Sequence, residues 1–404
     1  MKTSKLILIS TLASLFALLV QSCAGSDDAM SLRMVRSEMK RNPTAAFLDG
    51  LEGKLKWNYT VGLELQSFFD VSNEYGVPEP YEYAKAWVDT VLETISNTGK
   101  TLNYKKQAYV LDHICPGRMC LSLYDRTGDI RYRCIADSLF SQLAEQPRTE
   151  AGPFWHKAVY PHQVWLDGVY MAMPFYADYI MRFVPEASRE AYWQDIVREF
   201  VVTTEKTLDQ ATGLYRHAWD ESRSMFWADP ETGLSAHSWG RAVGWLSMAL
   251  VDVLEIMPED VPGRESLVDI VRHLAETLPS WADSETGMWY QVLDSPAREG
   301  NYLESSCSVM FIYMYLKALR LGVLDASVCD YACELYERFN ERFVREEEDG
   351  TLSITSCCSV AGLGGKQNRR GDFDYYISEP VIDNDCKAVG AYIMASLEYE
   401  RRFK

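Results

Sequence analysis

About twelve stretches of this chain place apolar residues at helical spacing, and the connections between them alternate between short and long. The stretches lie near 27–41, 60–76, 79–98, 115–128, 129–146, 167–184, 188–209, 238–257, 262–280, 301–322, 325–345 and 385–401. Alternating runs long enough for strands are almost absent. Stop and start residues support the boundaries: Gly76 with Pro78, Gly128 with Asp129, Pro185, Pro258, and Gly322 with Asp325. Short connections such as Gly76-Val77-Pro78 and Thr127-Gly128-Asp129 make αα-hairpins. The long ones hold five of the six histidines (His113, His156, His162, His217, His237) and most of the tryptophans.

A weak internal repeat gives the same picture. Asp209-Gln-Ala-Thr-Gly-Leu-Tyr215, Asp283-Ser-Glu-Thr-Gly-Met-Trp-Tyr290 and Glu348-Asp-Gly-Thr-Leu352 recur about every 70 residues, each after a helical stretch. Twelve helices in six hairpins fit an all-α toroid, an (α/α)6 barrel, whose long loops gather at one mouth. An open solenoid is the alternative, but its repeats are shorter and more regular. No linker interrupts residues 30–404, so one barrel domain is expected there.

The first residues have a different character. Lys2 and Lys5 precede an apolar run from Leu6 to Val20, too short to span a bilayer as a helix, and Val20-Gln21-Ser22-Cys23 has the form of a lipoprotein signal. The expectation is a signal peptide over 1–22, acylated Cys23, and a tether over 23–29 containing Asp27 and Asp28. The protein would then be exported and membrane-anchored, in the periplasm or at the cell surface. An ordinary secretory signal with an incidental cysteine is the alternative. The net charge of −18 becomes −20 once Lys2 and Lys5 are removed, and such a surface repels nucleic acid. Of the ten cysteines, nine remain besides Cys23, and no Cys or His spacing suits zinc. Mostly buried free thiols with one or two bridges at most, no metal and no cofactor are expected.

Three loop segments carry the chemistry. Trp165-Leu166-Asp167-Gly168 directly precedes a helical stretch, where Asp167 could simply cap the helix. The preceding run from Phe154 to Gln163, with Trp155, His156, Lys157, Tyr160 and His162, has more rings than a connection needs. One hairpin earlier, Leu111-Asp112-His113 puts a second carboxylate at an equivalent position. In a toroid Asp112 and Asp167 would stand side by side, as acid and base do. Arg241 lies between Trp239 and Trp245 at a helix start, a setting that binds carboxylates well. With His156, Lys157 and His217 it would form a positive island suited to a sugar acid. A core arginine paired with an acid such as Asp220 is the competing reading. Trp87, Trp193 and Trp281 sit inside helical patterns and read as packing. The glycine-rich segment 355–376 reads as a lid or substrate wall; it lacks the context of a phosphate loop.

The series Trp165-Leu-Asp-Gly-Val-Tyr-Met171, His217-Ala-Trp-Asp-Glu221, Trp239-Gly-Arg-Ala-Val-Gly-Trp245, Trp289-Tyr-Gln-Val-Leu-Asp294, Asn301-Tyr-Leu-Glu-Ser-Ser306 and Asp374-Tyr-Tyr-Ile-Ser-Glu-Pro380 resembles the unsaturated rhamnogalacturonyl hydrolases, glycoside hydrolase family 105. The resemblance runs over about residues 57–401. It implies an (α/α)6 barrel that removes a 4,5-unsaturated uronic acid from the non-reducing end of oligosaccharides made by polysaccharide lyases. It places the proton donor on Asp167, the second acidic residue on Asp112, and substrate contacts on His156, Lys157, His217, Trp239, Arg241 and Trp245. Asp385-Cys386-Lys387 departs from the family's pattern. The expected partner is an anionic oligosaccharide. Burial against Trp165 and the charge of Asp112 would favour protonated Asp167, against Lys157 and Arg241. Two other readings stay open: an inverting glycosidase or sugar epimerase on the same toroid, and a surface glycan-binding lipoprotein that keeps the tryptophans without needing the aspartates.

Overall fold

The computed structural model describes residues 28–402 apart from residue 297. The expected signal segment, Cys23 and most of the tether lie outside the described residues. Twelve long helices follow the twelve periodic stretches: α1 (Met30–Arg41), α2 (Tyr59–Tyr75), α3 (Pro78–Thr98), α4 (Gly117–Thr127), α5 (Ile130–Glu145), α6 (Leu166–Phe183), α7 (Arg189–Thr207), α8 (Gly240–Ile256), α9 (Arg264–Thr277), α10 (Ser305–Arg320), α11 (Cys329–Phe343) and, after a short α12 (Phe373–Ser378), α13 (Cys386–Arg401). Helices α2, α4, α6, α8, α10 and α13 pack side by side into a closed inner ring. The others, α1, α3, α5, α7, α9 and α11, lie outside it. This is an (α/α)6 barrel.

Composition separates the two rings. In α8 every residue from Gly240 to Leu254 is buried, as is every residue of α13 from Cys386 to Glu398. Such a helix has the core on one side and the barrel interior on the other. The outer α3 buries only Pro80, Tyr81, Ala84, Trp87, Val88 and Val91, one stripe at helical spacing. Trp87, expected as packing, stacks on Trp57 at 5.4 Å. The inner wall is tight because glycines stand where its helices touch. A Cβ on Gly390 would lie 3.1 Å from the Cα of Glu64 on α2, and one on Gly244 would lie 2.7 Å from Met310 Sδ on α10.

The ring closes between α13 and α2, with α1 laid over the seam. The Ser31 amide and hydroxyl donate to the Glu400 carboxylate at 3.0 and 2.5 Å, and the Tyr75 hydroxyl donates to it at 2.7 Å. All six inner helices start at one end, so their N-terminal loops form the mouth.

The sequence repeat is a hairpin that leads the chain from an outer helix towards that mouth. Asp209, Asp283 and Asp349 each accept hydrogen bonds from a nearby threonine, Thr212, Thr286 and Thr351. An earlier ribbon pairs β1 (Gln163–Trp165) with β2 (Ala218–Asp220); in the repeat the flanking residues pair as Leu208 with Tyr215, as Ala282 with Trp289, and as β3 (Val344–Glu346) with β4 (Leu352–Ile354). The segment expected as an irregular wall contains β5 (Cys357–Cys358), paired with β6 (Val381–Ile382), and the start of α12. Nine cysteines are free, and seven of these are buried, with no bridge among the described residues. No described helix is long and apolar enough to cross a membrane.

Candidate active site

Backbone hydrogen bonds stitch the loops of the mouth together. Leu111 donates to His156 and His156 to Gln163; Leu166 donates to His217 and His217 to His237; Gly240 donates to Gln291, all at 2.9 to 3.2 Å. The β1–β2 ribbon sets Trp165 opposite Ala218. Because β1 runs straight into α6, Asp167 falls on the first turn of that helix, next to His217. Asp112 sits on a short turn (Leu111–His113) just before α4.

These side chains meet. Lys157 Nζ lies 2.7 Å from Asp112 Oδ2, and His156 Nε2 lies 3.5 Å from Asp112 Oδ1. Asp167 Oδ2 and His217 Nε2 face each other at 3.2 Å, and neither atom completes an aligned hydrogen bond within the protein. Trp165 touches the histidine of each pair: His156 stacks on it at 4.6 Å, Tyr160 stacks at 5.1 Å, and His217 meets it edge-on at 5.3 Å. The far side of His217 packs on Trp239 at 4.8 Å.

Charge is distributed unequally between the pairs. Burial raises the Asp112 carboxyl, but the Lys157 ammonium and the two neighbouring imidazoles outweigh it and hold the group at about 2. Asp112 is therefore ionised wherever the protein would work. Burial also pushes His156 down to about 4, so its ring is neutral near pH 6. The sequence sets Asp112 and Lys157 against each other in their effect on Asp167; in the structure Lys157 pairs with Asp112 itself.

The two remaining predicted contacts are more deeply placed. Arg241 is 1% exposed, with its guanidinium 4.8 Å over the Trp239 ring. It donates to the Cys358 carbonyl and to Ser306 Oγ, and Glu304 stands 4.0 Å away. Asp220, the acid suggested for it, instead accepts from Ser222, Ser224 and Met225. Trp245 is buried against Tyr170 and Tyr59. Of the other loop histidines, His113 meets Asn103 and His237 meets Asp294.

Several residues join the site that local sequence patterns did not single out. Tyr376 on α12 brings its hydroxyl to His217 Nδ1 at 2.8 Å. Glu304 caps α10 and accepts from Cys307 and Cys358 amides, so it fixes both the helix and β5. Tyr59, at the start of α2, feels the charges of Lys387, Asp112, Arg241 and Asp167 together. Lys387 is buried on Asp385 at 2.8 Å. Tyr376 and Glu304 lay inside two of the quoted motifs, whereas nothing in the sequence marked Tyr59. Among the described residues, no three His, Cys, Asp or Glu side chains come together as a metal site.

An (α/α)6 toroid with two carboxylates and a cage of rings at its mouth has the architecture of a glycoside hydrolase. This chain belongs to Glycosyl Hydrolase Family 88, whose profile matches residues 30–403. It is 38% identical to the family 105 glycoside hydrolase of C. acetobutylicum ATCC 824, over 93% of this chain and 100% of that one, with a TM-score of 0.86. It is 29% identical to the unsaturated rhamnogalacturonyl hydrolase YesR of Bacillus subtilis strain 168, over 78% of this chain and 82% of that protein. The unsaturated glucuronyl hydrolase of Bacillus sp. GL1, at 14% identity and a TM-score of 0.66 over 93% of this chain and 97% of that one, shares the fold.

Proposed function

We propose that the protein removes a 4,5-unsaturated uronic acid from the non-reducing end of oligosaccharides produced by polysaccharide lyases. The observation that carries this reading is the division of labour between the two carboxylates. Asp112 is locked as an anion by Lys157, while Asp167 faces His217 with bonding capacity to spare. The substrate is an enol ether, with its double bond between C4 and C5. Asp167 gives a proton to C4, and the positive charge that develops is shared between C5 and the ring oxygen. Water then adds at C5, losing its proton to ionised Asp167 or to Asp112. The resulting hemiketal opens and releases the aglycone. The stacked rings of Trp165, His156 and Tyr160 offer a flat apolar wall, and Lys157, with Arg241 behind Trp239, offers positive charge to the uronate. His217, Trp239 and Trp245 complete the substrate side.

Residues 30–404 form the catalytic unit in this proposal. The signal over 1–22, Cys23 as lipid anchor and the tether over 23–29 make the enzyme an exported, membrane-anchored lipoprotein. Lys2, Lys5, the apolar run and Ser22-Cys23 support that part.

The test is incubation with lyase-generated oligosaccharides while the ultraviolet absorbance of the conjugated uronide is followed. Loss of absorbance with release of a saccharide one unit shorter is the expected result. Binding without loss would make the protein a glycan-binding lipoprotein. Cleavage or epimerisation of saturated sugars alone would make it a different enzyme on the same toroid.

A further inference from the structure

Tyr376 lies outside the two-carboxylate reaction but touches it through His217. Its side chain is fully buried, and among the described residues its hydroxyl meets one hydrogen-bond partner, His217 Nδ1 at 2.8 Å. A phenol carries one proton, and a buried hydroxyl proton left without an acceptor is costly. If Nδ1 were the protonated nitrogen, the phenol oxygen would accept from it and the phenol's own proton would have nowhere to go. The opposite arrangement gives the phenol proton its acceptor. The hydroxyl donates to Nδ1, and the imidazole proton sits on Nε2, facing Asp167 Oδ2 at 3.2 Å.

We infer that Tyr376 is a positioning residue that fixes His217 in its Nε2–H form, so that the imidazole presents a donor to the Asp167 carboxylate. The inference rests on the proposed role of Asp167. The surroundings keep this arrangement in place. Burial holds the Tyr376 phenol well above its usual range, so it keeps its proton at any working pH; Asp294, Asp372 and Asp167 push in the same direction. The His217 ring is wedged between Trp165 and Trp239, which fixes its plane. The other imidazole in reach, His156, is neutral near pH 6. Once Asp167 has delivered its proton to C4 it is an anion, and an N–H beside it stabilises that anion until water adds at C5. Tyr376 comes from α12, so the 355–376 segment supplies a part of the acid–base apparatus as well as a wall.

The inference is tested on the full protein with nitrogen-15 labelled histidine. The His217 signals are assigned by their loss in His217→Gln. For the neutral ring, reached by raising the pH until the His217 signals stop moving, the expected spectrum has Nε2 protonated and Nδ1 bare; a protonated Nδ1 in the neutral ring overturns the proposal outright, whatever the enzyme's activity. In Tyr376→Phe the His217 signals are expected to shift to a mixture of tautomers, and kcat to fall about two- to tenfold, the worth of one neutral hydrogen bond, with KM little changed. The falling alkaline limb of kcat should move to higher pH, because a carboxylate that loses a donor holds its proton longer. A purely structural tyrosine would reduce the folded fraction without moving tautomer or limb, and that outcome also refutes the inference. If Asp167→Asn proves fully active while the tautomer is as stated, it is the proposed proton donor that fails.

Discussion

Replacing Lys157 by methionine should create an acidic limb in the pH profile that the native enzyme lacks. The Asp112 carboxyl is held at about 2 because Lys157 Nζ, at 2.7 Å, opposes its burial. A charge-assisted contact of this kind is worth about 1.5 to 3 kcal/mol. At about 1.4 kcal/mol per pH unit, removing it raises the carboxyl by roughly 1 to 2 units. Only His156 and His113 then oppose the burial, so Asp112 should begin to take up a proton at about pH 3 to 4. Methionine keeps most of the aliphatic stem and removes the ammonium, which stands 5.9 Å from the centre of the Tyr160 ring. The assay is kcat/KM against pH for wild type, Lys157→Met and Lys157→Arg. Wild type and arginine variant should stay flat where the methionine variant falls. Superimposable acidic limbs in all three would refute the reasoning, and a carbon-13 titration of Asp112 would show which step failed. Stability should follow the same linkage. A carboxyl depressed in the folded state contributes stability that is present above its unfolded value of 3.8 and lost as pH falls through about 2.

Asp167→Asn should lower turnover by about 10² to 10⁴-fold with the fold intact, because an amide keeps the shape but cannot deliver the proton; a variant retaining a tenth of wild-type kcat would remove Asp167 from the role. Glu199 on α7 should make the protein less stable in alkali. Burial raises it to about 7 although Arg148 and the Phe154 amide pull it down, and a carboxyl raised in the folded state gives stability that is full below 4.5 and lost as pH rises through about 7. Glu199→Gln, which can still accept from Phe154, should therefore narrow the stability difference between pH 5 and pH 8 by about 3 kcal/mol in denaturant titrations, and an unchanged difference would show that Glu199 does not titrate there.

The long helices were legible because their periodicity is local. The stretch 60–76 became Tyr59–Tyr75 and 385–401 became Cys386–Arg401. Where a boundary shifted, a cap decided it. Residues from 301 read as helical, yet the helix starts at Ser305 because Leu303 pairs with Tyr290 and Glu304 caps the first turn. Within 355–376, β5 has two residues and α12 only six, too few for any period to show. The loop residues gathered at one mouth as their register implied. Their pairings were not legible, since partners come from distant loops. Arg241 stands by Glu304 and not by Asp220, the acid of the competing reading, and Lys157 took Asp112 from across a hairpin.

The seam between α13 and α2 has a consequence for how the molecule is made. Each of the other inner neighbours starts 49 to 81 residues further along the chain, whereas this contact joins segments more than 300 residues apart. During synthesis the first five hairpins can settle pairwise, but they form only an arc whose two free edges are apolar helix faces. The arc becomes a ring only when Cys386–Arg401 has emerged, and such a distant closure is intrinsically slow. The mouth is an attribute of the ring, so the aromatic cage and its acids take their final places only when α13 has joined its neighbours.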